Sequence, residues 1–195
     1  IICPGHSRPV PDCTYSNVTD DGYFLISACL DGKAMLREGP TGDWIGTFMG
    51  HKGAVWSARL NSLATLAATA SGDFSAKLWD AISGTCLHTL QHKHIVKAVQ
   101  FSQDSKQLYT GGNEKKIRIF DLEKPEAEAK MLDGHEATIG NIVLTPSPHL
   151  IVSCAAENNV RVWDLRTGTT VQTLPTNNQV TSMTLSDNGV ITTTH

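Results

Sequence analysis

Short apolar runs of strand length recur along the whole chain, and polar turn residues separate them. Typical runs are AVWSARL (54–60), AKLWDA (76–81), VKAVQF (96–101) and NVRVWDL (159–165). They contain many β-branched and aromatic residues, while Gly, Asp, Asn and Ser fill the segments between them. No stretch shows the 3.6-residue periodicity of a long amphipathic helix. The pattern therefore predicts an all-β protein.

The chain also repeats itself with a period of a little over forty residues. The copies begin at His6, His51, His92 and His135, and a fifth begins near Val180 without its histidine. A Gly-His pair opens the second copy, and Trp79-Asp80 ends its third apolar run. This period, with Gly-His early and Trp-Asp late, resembles the WD-repeat β-propeller family.

The resemblance implies a propeller in which each repeat forms one four-stranded blade. The expected blades are residues 6–48, 49–89, 90–132 and 133–175, with a partial blade at 176–195. Because one blade cannot bury both of its faces, the blades must stack around a central axis. We expect a single domain over residues 1–195, with four and a half blades of a seven-bladed ring. Residues 1–3 would be the outer strand of the blade that closes this ring.

Four chemically distinct positions recur in the repeats: a histidine, a hydroxyl, a carboxylate and a tryptophan. The predicted structural tetrads are His51, Thr69, Asp73 and Trp79, and His135, Ser153, Glu157 and Trp163. These residue types also occur in hydrolase triads, but catalysis does not require one set per blade. We expect a hydrogen-bond chain from indole to hydroxyl to imidazole to carboxylate, which offsets the cost of burying polar groups. No catalytic residue is predicted.

The other three repeats depart from this pattern, blade four by Glu157 in place of an aspartate, so an intact tetrad is expected in blade two alone. Arg37 stands in the tryptophan position of blade one. Blade three has Glu114 and Phe120, and a phenylalanine cannot donate a hydrogen bond. The chain in blade three is therefore predicted to be broken.

The resemblance also implies a partner-binding face. In WD-repeat families, the residues three and five positions after the histidine, and the one before the carboxylate, point to the top face near the central channel. Among these positions we select as partner-binding Trp56, Lys97, Asn113, Leu30 and Pro9. The remaining positions are Pro11, Ala54, Gly72, Ile95, Thr138, Gly140 and Ala156. Trp56 is the principal candidate, because an exposed tryptophan often anchors a partner; the alternative is that it packs into a neighbouring blade.

Charge and composition argue against several other functions. The 16 Lys and Arg residues face 19 Asp and Glu residues in a chain of 195, so there is no basic surface for DNA. The short basic turn at Lys115, Lys116 and Arg118 has no interleaved aromatic residues, and direct RNA binding is therefore disfavoured. No apolar run is long enough to insert into a membrane.

Metal and cofactor sites are not predicted either. His92 and His94 supply at most two ligands in one turn, and no cysteine or carboxylate lies at a helpful spacing. The five cysteines form no CxxC pair and are interpreted as reduced thiols of an intracellular protein.

Several strings are more specific than the repeat itself, among them GYFLISAC, TGDWIGTF, HKHIVK and DLEKPEAEAK. They resemble a branch of the WD-repeat family that consists of non-enzymatic scaffolds. The resemblance implies an accessory role in the survival-of-motor-neuron (SMN) complex, which loads Sm proteins onto spliceosomal small nuclear RNAs, and in kinase-receptor signalling. It implies SMN-complex subunits or Sm proteins as partners, RNA contact through that complex, and a cytoplasmic and nuclear location. The alternative branch contains the i subunit of eukaryotic translation initiation factor three.

Overall fold

The computed structural model describes residues 3–186 and 190–194, and its regular elements are all β-strands. The first sheet contains β1 (Asp12–Tyr15), β2 (Phe24–Ala28), β3 (Ala34–Glu38) and β4 (Trp44–Phe48). The second contains β5 (Val55–Leu60), β6 (Leu66–Ser71), β7 (Ser75–Asp80) and β8 (Cys86–Gln91). The third contains β9 (Val96–Phe101), β10 (Gln107–Gly112), β11 (Ile117–Asp121) and β12 (Lys130–Leu132). The fourth contains β13 (Ile139–Leu144), β14 (Leu150–Ala155), β15 (Asn159–Asp164) and β16 (Thr169–Pro175), and a hairpin of β17 (Ser182–Leu185) and β18 (Ile191–Thr194) follows.

Each four-stranded sheet is an antiparallel meander, in which every strand pairs with the next one in the chain. The turn between the second and third strands follows the repeat carboxylate, and in blades one to three its next residue is left-handed. Gly32 has φ 87° in blade one, and Phe74 and Lys115 take φ 66° and 63° at the same position in blades two and three. Positive φ is uncommon for non-glycine residues, so the turn, rather than the residue type, sets this conformation.

The apolar core lies between the sheets. The first strands of successive blades pack side by side, with β1 against β5, β5 against β9, β9 against β13 and β13 against β17. Four buried clusters join the blades in pairs, and they contain respectively Ile26 and Trp79, Leu78 and Leu108, Ile117 and Ile142, and Val152 and Met183. This arrangement, with the first strands innermost, confirms the predicted all-β blade architecture.

The expected closing strand of the ring is described only at Cys3. Ile1 and Ile2 of the expected closing strand lie outside the described residues, and Cys3 is in an irregular segment. The seven-bladed ring stays a prediction. Within the described residues there is no helix that could cross a membrane.

Because each interface between blades is a core of its own, truncation at one interface should destabilise the protein strongly. Ile142 is 1% exposed between the third and fourth sheets, and Ile142→Ala should lower the free energy of unfolding by about 2–5 kcal/mol. The control is Val171→Ala on β16, where the side chain is 61% exposed and the expected change is below about 0.5 kcal/mol. Urea titration of both variants checks this. Similar losses for the two would contradict an interblade core.

Candidate interaction site

Blade two contains a complete hydrogen-bond relay. The Trp79 indole N–H donates to Thr69 Oγ1 at 2.8 Å, and Thr69 Oγ1 lies 2.6 Å from His51 Nε2. Because the ionised Asp73 can only accept, the imidazole proton must be on Nδ1, and Nε2 therefore accepts the hydroxyl proton of Thr69. His51 Nδ1 lies 2.8 Å from Asp73 Oδ2 and donates to it. Each buried polar side chain of the relay thus has a hydrogen-bond partner.

The carboxylate at the end of this relay is strongly stabilised as an anion. Burial disfavours the charged form of Asp73, but hydrogen bonds from Ser75 and from the Lys52 amide outweigh it and lower the pKa of Asp73 from 3.8 to about 2. Burial lowers the pKa of His51, and its attraction to Asp73 only partly opposes this. The imidazole therefore stays neutral and acts as a connector.

Blade four forms the same relay with a longer carboxylate. Trp163 Nε1 donates to Ser153 Oγ at 2.8 Å, and Ser153 Oγ lies 2.6 Å from His135 Nε2. His135 Nδ1 contacts Glu157 Oε1, while the other Glu157 oxygen accepts from the Glu136 amide at 3.0 Å. The expectation of a full set in blade two alone was too narrow, because the extra methylene of Glu157 is accommodated.

In blade three the relay stops after the hydroxyl. His92 Nε2 lies 2.8 Å from Thr110 Oγ1, but Phe120 offers only a ring, with its centroid 5.6 Å from that of His92. On the other side, His92 Nδ1 is 3.0 Å from the Leu90 carbonyl oxygen, to which it donates. A main-chain acceptor therefore replaces the carboxylate.

The blade-three carboxylate binds an arginine instead of the histidine. Glu114 Oε2 accepts from Arg118 Nη2 at 2.6 Å and from Arg118 Nε at 3.0 Å, and the Lys93 amide donates to Oε1 at 2.5 Å. Burial opposes ionisation of Glu114, yet these contacts hold its pKa below 4.5. The repeat register places Glu114 at the carboxylate position that faces the histidine, but Arg118, four residues later, binds this carboxylate instead.

Blade one keeps the histidine, hydroxyl and carboxylate but has no indole donor. His6 Nε2 lies 2.8 Å from Ser27 Oγ, and His6 Nδ1 lies 3.2 Å from Asp31 Oδ2. Arg37 fills the tryptophan position as a buried side chain, and its guanidinium donates to the carbonyl oxygens of Pro4 and Gly42.

One group of metal-ligating atoms also lies in blade one. The donor atoms of His6, Cys29 and Asp31 are all within 4.8 Å of one another. The Cys29 thiol donates to the Arg8 carbonyl at 3.0 Å and accepts from the Asp31 amide at 3.3 Å. Ser71 makes the equivalent two contacts in blade two. The thiol therefore takes the place of a turn hydroxyl, which accounts for the cluster without a metal.

The tetrad hydroxyls are inaccessible. Thr69 and Ser153 have no exposed surface. A nucleophile must reach its substrate, so these hydroxyls cannot act as nucleophiles in this conformation. In blades two and four the relay holds the second and third strands to the loop that enters the blade.

The first strands of all five blades meet at a small cleft on the axis, which we call the axial cleft. Its lining residues are Pro11, Asp12, Trp56, Ser57, Arg59, Lys97, Gly140, Asn141, Thr181 and Ser182. Pro11, Trp56, Lys97 and Gly140 are the residues five positions after each repeat histidine. The structure thus brings together one sequence-selected position from each of the first four blades.

Trp56 and Lys97 form the main contact across this cleft. Lys97 Nζ lies 4.8 Å from the centroid of the Trp56 ring, which is a cation–π contact between blades two and three. Both side chains are half-buried. Trp56 therefore packs on the neighbouring blade, which was one of the two alternatives for this residue. Part of its ring stays exposed, as the other alternative, a partner anchor, requires.

The axial cleft also contains an ion pair that the sequence analysis missed. Arg59 Nη1 lies 2.5 Å from Asp12 Oδ2, and the Ala58 amide donates to the same oxygen at 3.3 Å. The pair joins blades one and two, and both side chains are mostly buried. The available signal was that Asp12 and Arg59 place opposite charges on the innermost strands of neighbouring blades.

The other predicted top-face residues lie at two different places. The Leu30 amide donates to the Pro9 carbonyl at 3.0 Å, and Leu30 lines a shallow groove between blades one and two. Asn113 Oδ1 accepts from the Thr138 hydroxyl of the next blade at 3.3 Å. The axial cleft does not include Leu30, Pro9 or Asn113.

Comparisons with known proteins show what the chain is similar to. A β-propeller family profile described as "Nucleolar protein 10-like, N-terminal domain" matches residues 50–195. The serine-threonine kinase receptor-associated proteins of Homo sapiens and Dictyostelium discoideum are 57% and 48% identical over 94% and 95% of the chain. Eukaryotic translation initiation factor 3 subunit I of Phaeosphaeria nodorum is 30% identical over 86% of it. The chain spans 52%, 64% and 52% of these three relatives, or about half to two thirds of their length.

The relay geometry predicts unequal costs for removing the two carboxylates. Asp73→Ala leaves the buried His51 Nδ1–H without its acceptor and should cost about 2–3 kcal/mol of unfolding free energy. Glu114→Ala alone would leave the mostly buried Arg118 without its carboxylate, so the comparison is the double variant Glu114→Ala/Arg118→Leu. It should cost only about 1 kcal/mol, because His92 keeps the Leu90 carbonyl. Urea titration at neutral pH measures both, and Asp73→Asn, which keeps an acceptor, should fall between them. Equal losses for Asp73→Ala and the double variant would contradict the relay.

Acid should destabilise the protein before the carboxylates titrate. Burial lowers the pKa of His51, His92 and His135 below 6.5, so the unfolded chain binds protons at a pH where the folded protein does not. This contribution to stability is complete above about pH 6.5 and is lost as the pH falls from there to the lower folded pKa values. Asp73, with a pKa of about 2, adds its loss only in much stronger acid. Urea midpoints that stay constant from about pH 7 to about pH 5 would rule this out.

Proposed function

Because the chain belongs to the WD-repeat β-propeller family, we propose that it is a non-enzymatic scaffold that binds other proteins at its axial cleft. One observation carries the proposal: residues at the same repeat position in four blades converge there, with a partly exposed tryptophan among them. Trp is the residue type most enriched among interface residues that dominate binding energy. The cleft therefore has the composition of an anchor point for a partner.

The size of the axial cleft supports a protein partner over a small molecule. Its volume is about 100 Å³, whereas sites for drug-sized ligands usually measure about 300–1,000 Å³. A single side chain of a partner fits this space, and Lys97 next to Trp56 favours an acidic or aromatic side chain.

For the biological role, we propose an accessory subunit of the SMN complex in the assembly of spliceosomal small nuclear ribonucleoproteins, with a further role in kinase-receptor signalling. The support is the specific strings of the sequence and the 57% identity to the human serine-threonine kinase receptor-associated protein. RNA contact would pass through the complex, and we expect the protein in both cytoplasm and nucleus. The second candidate is the translation-initiation subunit, which the 30% identity over 86% of the chain favours less.

The test is affinity capture from cell extract, with the natural full-length protein as bait, followed by mass spectrometry. We expect Sm proteins and SMN-complex subunits, and a loss of about tenfold or more in their recovery with Trp56→Ala. The matched control is Leu63→Ala, which truncates a side chain that is 68% exposed in the turn between β5 and β6.

Two outcomes would overturn parts of this proposal. Recovery of initiation-factor subunits in place of Sm proteins would select the second candidate. Equal recovery with Trp56→Ala and Leu63→Ala would show that the partner does not use the axial cleft, provided that both variants unfold at the temperature of the natural protein.

A further inference from the structure

A second surface lies on the outer circumference, where blade one meets blade two. A groove of about 410 Å³ opens there between β4 and the turn that joins β7 to β8. Four large apolar side chains at this rim groove are strongly exposed: Trp44 (61%), Ile45 (44%), Met49 (62%) and Ile82 (84%). Apolar side chains gathered around a groove are costly to keep in water and mark interaction sites.

The floor of the rim groove is the core that joins the two blades. Leu36, Phe48 and Ala81 line the groove and are also buried members of the cluster between the first and second sheets. The groove is therefore a gap in the cover of that core. Its surroundings are set by strands and a tight turn, so its shape is defined before a partner arrives.

The same register positions on blades two and three carry polar side chains. The junction of blades three and four is also a groove, of about 620 Å³, but polar and charged side chains line much of it. Leu36 stands five residues after the repeat carboxylate Asp31, and it pairs with Gly46 on β4. A Cβ added to Gly46 would meet no atom within 4 Å. By the same register Lys130 pairs with Ile119, and its ammonium group donates to the Leu165 carbonyl oxygen of the next blade at 2.6 Å. Lys130 thus bridges the gap that Gly46 leaves open.

The facing turns differ in the same way. Ile82 stands two residues after Asp80, and Arg166 and Glu123 occupy the matching positions after Asp164 and Asp121. His88 occupies the register position of Gly46 in blade two, where it pairs with Leu78. Of the three junctions between complete sheets, the first alone combines a glycine on the strand with a large apolar side chain on the turn.

The charges beside the rim groove are acidic. Within residues 36–49 and 80–84 the ionisable side chains are Arg37, Glu38, Asp43 and Asp80. Arg37 is buried and donates to main-chain carbonyls, whereas Glu38 and Asp43 are exposed next to Trp44. A partner with basic residues beside its apolar ones is therefore complementary to this surface.

The edge of β4 favours docking by side chains over strand addition. β4 is the last strand of its sheet, and Ile45 is an extra residue where the register shifts between Leu36 and Arg37. Such a bulge interrupts the row of backbone groups that an added strand would need. A helix, which presents only side chains, avoids this problem.

We propose that the rim groove binds an amphipathic helix of a partner protein, with apolar side chains in the groove and lysine or arginine residues beside Glu38 and Asp43. This interaction goes beyond the proposed scaffold function at the axial cleft and does not depend on it. The rim groove and the axial cleft are formed by opposite edges of the blades, so two partners can be held at once.

The experiment uses the natural full-length protein and a fluorescein-labelled peptide of leucine and lysine with the spacing of an amphipathic helix. Fluorescence anisotropy should show saturable binding, and a peptide with glutamate in place of lysine should not bind. Ile82→Arg and Gly46→Lys, which copy residues that the other blades carry at the same places, should each weaken binding about tenfold or more. The matched control is Val171→Arg on β16, which should bind as the natural protein does.

Several results would overturn the proposal: no binding of the leucine–lysine peptide, equal binding of the glutamate peptide, or unchanged affinity in both groove variants. An equal loss with Val171→Arg would show adhesion to any exposed apolar site. Thermal unfolding of each variant verifies the fold, and Trp44→Ser replaces any groove variant that unfolds early. Trp56→Ala should leave peptide binding unchanged, which separates this result from the test of the axial cleft.

Discussion

The blades depend on one another because each sheet has two apolar faces and no core of its own. The buried clusters are shared between neighbouring sheets, as with Ile117 of β11 and Ile142 of β13. A hydrophobic residue is therefore stabilised by the next repeat in the chain, and the innermost strands must stay side by side. This constraint places one position of every repeat at the axis, so the axial cleft follows from the packing itself.

The buried relays solve a second problem, which is how to close each blade without leaving polar groups unpaired. The amide after the repeat histidine donates to the carboxylate in all four blades, from Ser7, Lys52, Lys93 and Glu136. The rest of the relay varies. Arg118 takes over the carboxylate in blade three, and the guanidinium of Arg37 finds main-chain acceptors in blade one. Satisfied hydrogen bonds are thus retained where the residue types are not.

The periodicity of the sequence was sufficient to predict the blades and the convergence of Trp56 with Lys97, because both follow from the repeat register. It could not predict contacts that exist once. The Arg59–Asp12 pair joins residues far apart in the chain, and only the docking of two blades brings them together. Glu114 changes partner because the Arg118 side chain reaches back across a turn and binds the carboxylate in place of the histidine. A repeat pattern predicts which residue types recur at a position, whereas these two ion pairs depend on distances between side chains.

Deviations from the repeat are therefore the places where function can be added. A position that is filled alike in every blade serves the fold, as the relay amides do. A position such as Gly46 makes no contact across the junction, whereas Lys130 at the same register position hydrogen-bonds to the next blade, so Gly46 contributes less to stability. Ile82 adds a cost by placing an apolar side chain in water where blade four has Arg166. Two unfavourable choices that face each other across one groove are explained most simply by a partner that covers both.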